Sequence, residues 1–317
     1  MSTFPIPGLL IGHAHDEHAR TGVTVLVCDE AMPCAVDVRG GAPGTRETDA
    51  LGLGGLVGRA DAITLSGGSV YGLAAADEVT RWLGGQGRGF HVHDAAPRSP
   101  IVGGAILFDN LNSGDKSWGD SPPHARLARE ALEKLSDTIA EGAVGAGFGA
   151  TAGLHRGGLG VASERVGGHT VMSLIAANPV GSPYMPGTNC FWAWPWEVEG
   201  EFGGRRPAPD WSLSDATDTK LPQLSGAGAA TVIGVVVTDA GLSPAQLHRL
   251  AVGAQDGIAM AVQPSHTPLD GDTIFALSAG EGGAELPPRD LAWLGAAAAR
   301  TTARAIARGV HLAGGPT

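Results

Sequence analysis

Thr231-Val232-Ile233-Gly234-Val235-Val236-Val237 is the stretch on which the reading of this chain turns. It is a β-branched run opening on a hydroxyl, it follows a polar region rich in Pro and Gly, and it reads as a buried strand. Outward from it, short apolar strands alternate with Ala-rich helices. Ala62 to Leu65 reads as a buried strand running into Ser66-Gly67-Gly68-Ser69, and from Tyr71 the pattern turns helical, with apolar positions at Trp82 and Leu83. Val23 to Val27 and Cys34 to Val38 read as paired strands around a turn at Glu30–Pro33. Arg126 to Ile139 reads as a second helix and Thr170 to Ala176 as a further strand, followed by a loop-like stretch from Gly181 to Ser225. Ser243-Pro244-Ala245-Gln246 carries a capping box with Pro at the first helical position, and Leu247, Leu250, Ala254 and Ile258 then share one face. Thr273 to Leu277 reads as a strand, and Asp290 opens a terminal helix through Ile306. This interleaving predicts an α/β or α+β class with helices covering sheet faces.

The bulk numbers narrow the function. A hydrophobic share of 43% with 17% charged residues describes an ordinary globular protein, and the 50 glycines gather in loops between apolar runs. A net charge of −11 argues against nucleic acid or an anionic membrane as partner. Cys28, Cys34 and Cys190 make an odd count with no metal-type spacing, which fits a reducing, cytoplasmic setting. The start, Met1-Ser2-Thr3-Phe4-Pro5, lacks the basic region and apolar core of a signal peptide, and no apolar run is long enough to span a bilayer.

Chemistry gathers around Thr231 and the downstream segment His266-Thr267-Pro268-Leu269-Asp270-Gly271-Asp272-Thr273. If the bond between Ala230 and Thr231 breaks, Thr231 holds both a nucleophilic hydroxyl and an α-amine with a reference pKa of about 7.7–8.0, able to take the proton near neutrality. A Thr opening a strand is also placed there by β-propensity alone, so the residues leave both readings open. Tyr71 after a Gly-Gly turn is either an aromatic plug or a polar group at a site. Asn178 before Pro179 is either a turn former or a hydrogen-bond donor. Asp270-Gly271-Asp272 is either a solvated turn or a working carboxylate pair; the missing oxygen ligands reject a calcium loop. His13, His15, Asp16, Glu17 and His18, and farther on His91, His93 and Asp94, show no standard zinc spacing and read as exposed turn residues. The run Gly145 to Gly160 is not followed by Lys-Ser or Lys-Thr, which rejects a phosphate loop. Phe191-Trp192-Ala193-Trp194-Pro195-Trp196 reads as a core or interface plug, or as an apolar cleft wall.

Six segments carry a resemblance. They are Thr21 through Asp49, Ser66-Gly67-Gly68-Ser69-Val70-Tyr71-Gly72-Leu73, Gly145 to Gly160, Asn178-Pro179-Val180-Gly181, the strand at Thr231, and Asp270-Gly271-Asp272-Thr273. Together they resemble the DmpA-type aminopeptidases, a family that includes L-aminopeptidase/D-esterases, β-peptidyl aminopeptidases and NylC-type nylon oligomer hydrolases. The resemblance implies a four-layer αββα sandwich, of the type shared with ornithine acetyltransferases, formed by one hydrolase domain over 1–317. It implies self-cleavage into chains 1–230 and 231–317 that stay together, commonly as a homotetramer, with no metal or cofactor. Thr231 corresponds to the nucleophile, Tyr71 and Asn178 to groups that position substrate and stabilise the oxyanion, and Asp270 and Asp272 to the pair that orients the nucleophile. Two positions depart from the pattern. Ala230 stands where NylC-type enzymes have Asn and aminopeptidases often have Gly; Leu154 stands where the family usually has Lys, and an apolar residue there predicts a preference for uncharged acyl groups. The expected activity is an aminopeptidase acting on short peptides or amides. Endo-hydrolysis of ω-amino-acid oligomers is the alternative, and a non-catalytic binding or structural homologue is the rival from another class.

Overall fold

The computed structural model describes residues 2–214, 218–223, 230–280 and 285–314. Among these, nine strands are linked into one hydrogen-bonded path: β1 (Leu9–Asp16), β2 (Thr21–Val38), β3 (Thr45–Arg46), β4 (Arg59–Ser66), β5 (Val102–Ile106), β6 (Gly158–Val166), β7 (His169–Asn178), β8 (Thr231–Thr238) and β9 (Thr273–Ser278). Four α-helices accompany them: α1 (Ala74–Gly85), α2 (His124–Leu132), α3 (Pro244–Ala261) and α4 (Pro288–Leu312). The order along the path is β6-β7-β8-β9-β2-β4-β5-β3, with β1 also on β2. The pairs β8/β9 and β4/β5 are parallel, and each is joined through a helix, α3 and α1 respectively. A parallel pair requires such a crossover.

The apolar alternation resolves this path into two stacked sheets. On β8, Val232 and Val236 pack with Leu250, Ile258 and Ile306 of α3 and α4. Their neighbours Ile233, Val235 and Val237 turn the other way, into a core shared with Leu26 of β2 and Ile63 and Leu65 of β4. The outer face of that second sheet, with Val23 and Val25, is covered by Val79 and Leu83 of α1 and Leu127 of α2. The layers are therefore helix, sheet, sheet, helix. All eight β8 residues are buried because both faces of the strand are covered. The close approach of α4 to β6 depends on a missing side chain: a Cβ at Gly160 would lie 2.0 Å from the Ala305 carbonyl oxygen.

The Val23–Val27 and Cys34–Val38 segments do not pair with each other. They are the two ends of one 18-residue strand that passes from sheet to sheet. The first end pairs with β1 and β4, the second with β9, and a register shift lies between Val27 and Met32. Pro33, which has no N–H to donate, sits beside this irregularity, so the residues that resemble a turn mark a bulge instead. The second helix begins at His124 and ends at Leu132, and Ile139 pairs instead with Ser2 in a small ribbon. The terminal helix runs on past Ile306 to Leu312. Only half of the capping box forms: the Ser243 side chain accepts from Gln246 N, whereas the Gln246 side chain bonds the Leu286 backbone. Phe191 is core, in ring contact with Tyr184 and Phe202. Among the described residues, no helix is long and apolar enough to cross a membrane.

Candidate active site

Thr231 opens β8 at the level where β7 ends, and its register partner is Asn178. On its other side, Ala230 bridges to Asp270 in the turn ahead of β9. That turn is clamped by Arg39 N on the Asp272 carbonyl (2.9 Å) and Ala42 N on the Asp270 carbonyl (2.8 Å). The sequence places Gly at 271 because the backbone crowds there: a Cβ would lie 2.6 Å from the Ala42 carbonyl oxygen and 3.0 Å from Thr231 Oγ1. Gly271 N donates to the Ala230 carbonyl oxygen at 3.1 Å, and the Thr231 hydroxyl donates to the same oxygen. Thr231 is 3% exposed.

The two carboxylates face different neighbours. Asp272 Oδ1 accepts from Val232 N at 2.7 Å, and its Oδ2 pairs with His266 Nδ1 at 2.7 Å. Asp270 Oδ1 accepts from Val180 N at 3.0 Å, and its Oδ2 accepts from Thr267 N at 3.0 Å and Thr267 Oγ1 at 2.5 Å. Burial first, and then the charge of Asp272, push the Asp270 carboxyl above the ordinary aspartate range. Among the described residues no hydrogen bond joins either carboxylate to the Thr231 hydroxyl; the pair grips the backbone on both sides of it. His266, which sequence reading passed over, is the second partner of Asp272. Its Nε2 lies 3.2 Å from the Gln255 carbonyl oxygen, an arrangement in which both ring nitrogens donate. Burial alone would lower its pKa, but the Asp272 hydrogen bond and charge prevail and raise it above the usual histidine value.

Asn178 is held at both ends of its amide. Its Oδ1 accepts from Thr151 N at 2.9 Å and from Lys220 Nζ at 3.1 Å, and its Nδ2 donates to the Phe108 carbonyl at 3.0 Å. Lys220 Nζ also donates to the Asn178 backbone oxygen at 3.0 Å. This lysine comes from the Pro- and Gly-rich stretch ahead of β8, and nothing in its local pattern distinguishes it from a surface residue. Leu154 is 52% exposed, with its N–H on the Asp218 carbonyl at 3.0 Å. Tyr71, on the 3-10 turn Ser69–Leu73, is 48% exposed and sets its ring edge-on to Trp118. No hydrogen bond among the described residues ties it to Thr231, Asn178 or the two carboxylates.

The N-terminal histidines are not all turn residues. His13 and His15 lie on β1. His13 Nδ1 is 3.0 Å from Thr24 Oγ1, and burial lowers its pKa to about 4. His15 stacks on Phe148, and only His18 occupies a turn, paired with Asp115. Among the described residues no three His, Cys, Asp or Glu side chains converge as a metal site.

A family model described as peptidase family S58 matches residues 4–315. An aminopeptidase of Mycobacterium leprae (strain TN), described as uncharacterised, is 42% identical over 289 residues, 87% of this chain and 77% of its own. The 6-aminohexanoate-oligomer endohydrolase of Agromyces sp. (strain KY5R) is 30% identical over 292 residues, 89% of this chain and 76% of its own. Among solved structures, a Burkholderia sp. β-aminopeptidase superposes with a TM-score of 0.71 at 22% identity, covering 96% of this chain and 84% of its own. The L-aminopeptidase D-Ala-esterase/amidase of Ochrobactrum anthropi, described as a variant of the Ntn hydrolase fold, gives 0.71 at 21% identity, covering 97% and 86%. At those identities the structural likeness speaks for the fold.

Proposed function

This chain belongs to peptidase family S58 and is a hydrolase, and from that premise we propose that it cleaves itself between Ala230 and Thr231 and then hydrolyses peptide or amide bonds with Thr231 as nucleophile. One observation carries the reading: the Ala230 carbonyl is held by Gly271 N–H while the Thr231 hydroxyl lies against it, in a place shielded from water. In maturation, Oγ1 adds to the Ala230 carbonyl carbon, and the electron pair displaced onto the carbonyl oxygen is met by the Gly271 N–H. The C–N bond breaks, the Thr231 nitrogen ends with the hydroxyl proton, and an ester joins Ala230 to Oγ1. Water then hydrolyses that ester, leaving the Ala230 carboxylate and a free N-terminal Thr231.

In turnover the α-amine takes the hydroxyl proton as Oγ1 attacks the substrate carbonyl, and returns it to the departing amine. The resulting acyl-enzyme is hydrolysed by water through the same steps. Asp272, on Val232 N, and Asp270, on Val180 N, hold the strand ends on either side of the nucleophile. An aminopeptidase activity is favoured over hydrolysis of 6-aminohexanoate oligomers, because the relatives at 42% identity carry the former description and those at 30% the latter. Intact-mass measurement tests the core of this reading. The purified chain should mature into fragments 1–230 and 231–317, and Thr231→Ala should stay full length and inactive on aminoacyl amides. Only full-length protein after prolonged incubation sinks the proposal.

A further inference from the structure

Lys220 has no place in the scheme above, and its surroundings are unusual for a lysine. The side chain is buried, yet among the described residues no carboxylate lies within ion-pair distance; both of its hydrogen bonds go to oxygens of Asn178. Lysines are almost never fully buried unless paired, since removing an ammonium from water is costly. We propose that Lys220 is the cationic group of the Thr231 centre, aimed by Asn178, and that it donates a hydrogen bond to the oxyanion formed when Thr231 attacks a substrate carbonyl. The inference rests on the proposed nucleophilic role of Thr231.

Donor arithmetic supports this. An ammonium has three N–H groups, and the two Asn178 oxygens take two of them, leaving one uncommitted among the described residues. The Asn178 amide cannot be turned round, because Thr151 N–H and Lys220 both donate to its oxygen end while its nitrogen donates to Phe108. The oxygen end of Asn178 is thus filled by its neighbours and acts as a cradle for the ammonium, while one N–H of its amide stays uncommitted among the described residues. It is also the cross-strand partner of Thr231, so their Cα atoms are about 4.5–5.5 Å apart, and a lysine bound to its backbone oxygen stands beside the nucleophile. The loop bearing Lys220 is stitched in place by Lys220 N on the Val180 carbonyl (2.9 Å) and by Leu154 N on the Asp218 carbonyl (3.0 Å). Leu154 itself turns half of its surface to solvent, so the charge reaches the site from this loop and not from position 154.

Two charged groups face the ammonium, Asp270 from the turn ahead of β9 and Asp109 from the segment after β5. Burial outweighs both and brings the Lys220 pKa down to about 7. A charge of the same sign near the Thr231 α-ammonium also favours loss of its proton, which frees the amine as base.

The test uses full-length protein with Lys220→Met, an apolar residue of similar shape, and Lys220→Ala. Wild type should show a kcat/KM limb near pH 7 on an aminoacyl amide, with activity lost above it as Lys220 deprotonates. Lys220→Met should fold, lose that limb, and fall in kcat by roughly 10²–10³-fold, the usual effect of removing one oxyanion donor. Lys220→Ala should regain activity with added methylammonium or ethylammonium, a rescue that a merely structural lysine would not give. Wild-type kcat and pH profile in Lys220→Met overturn the inference while leaving the nucleophile reading intact. If Lys220→Met fails to fold, absence of amine rescue in Lys220→Ala overturns it. A wild type that neither matures nor hydrolyses amides overturns both.

Discussion

Asp272 offers the sharpest perturbation, because its two oxygens do two different jobs. Asp272→Ala strips Val232 N of its acceptor and leaves the half-buried His266 imidazolium without its counter-charge. Breaking a fully buried pair from one side costs about 3–5 kcal/mol, an upper bound for this part-buried pair, which for a chain of this length lowers Tm by at most roughly 4–8 °C. Asp272→Asn is gentler. Its amide oxygen can still accept from Val232 N, and its NH₂ can donate to a neutral His266 whose Nε2–H keeps the Gln255 carbonyl. The loss is then one charge-assisted bond, about 1.5–3 kcal/mol. The two variants should also differ from wild type in the sign of their pH dependence. In wild type the raised His266 pKa contributes stability that is fully present below the unfolded value of 6.5 and is lost as pH rises through the folded value. In Asp272→Asn burial is left dominant, the His266 pKa falls below 6.5, and stability should instead decline as pH drops. Carbon-13 NMR of labelled histidine, with melts from about pH 5 to pH 8.5, reads both effects. A His266 midpoint that stays high in Asp272→Asn refutes the account of this pair. Hydrolysis should fall by orders of magnitude in Asp272→Ala, and Asp272→Asn shows how much of that fall is charge alone.

Two further outcomes follow from the fold. Gly160→Ala would bring a Cβ to 2.0 Å from the Ala305 carbonyl oxygen; backbone cannot give way cheaply, so a loss at or beyond the top of the ~1–3 kcal/mol overpacking range is expected in denaturant melts. A melt unchanged from wild type would show that α4 does not press on β6 there. Cys28, Cys34 and Cys190 are buried free thiols, and burial pushes Cys28 up to about 12 and Cys34 well above its ordinary value. A thiol reagent at neutral pH should therefore leave the native protein essentially unlabelled and modify all three cysteines once it is denatured, with rapid native labelling of Cys28 or Cys34 as the contrary result.

Local pattern was enough for most elements. The β8 run, the α3 apolar face and the β9 strand are written in nearest-neighbour periodicity, which the chain obeys wherever a face is buried. Thr231, Asn178 and Asp270-Gly271-Asp272 are singled out by the family resemblance, their own chemistry leaving other readings open, and the fold brings them to adjoining strand ends. The residues 224–229 that lead into the self-cleavage point expected at Ala230–Thr231 lie outside the described residues.

What the sequence withheld depends on contacts far along the chain. A strand that changes sheets looks locally like a hairpin, because a bulge and a turn use the same residues; only partners in β1, β4 and β9 distinguish them. His266 gains its role by folding back onto Asp272 and Gln255. Lys220 sits in an aperiodic loop whose docking on Val180 and Leu154 buries it. Periodicity records which face of an element is buried, whereas the burial of a lone charged side chain is fixed by which distant loop settles over it, and that is decided only when the chain is packed.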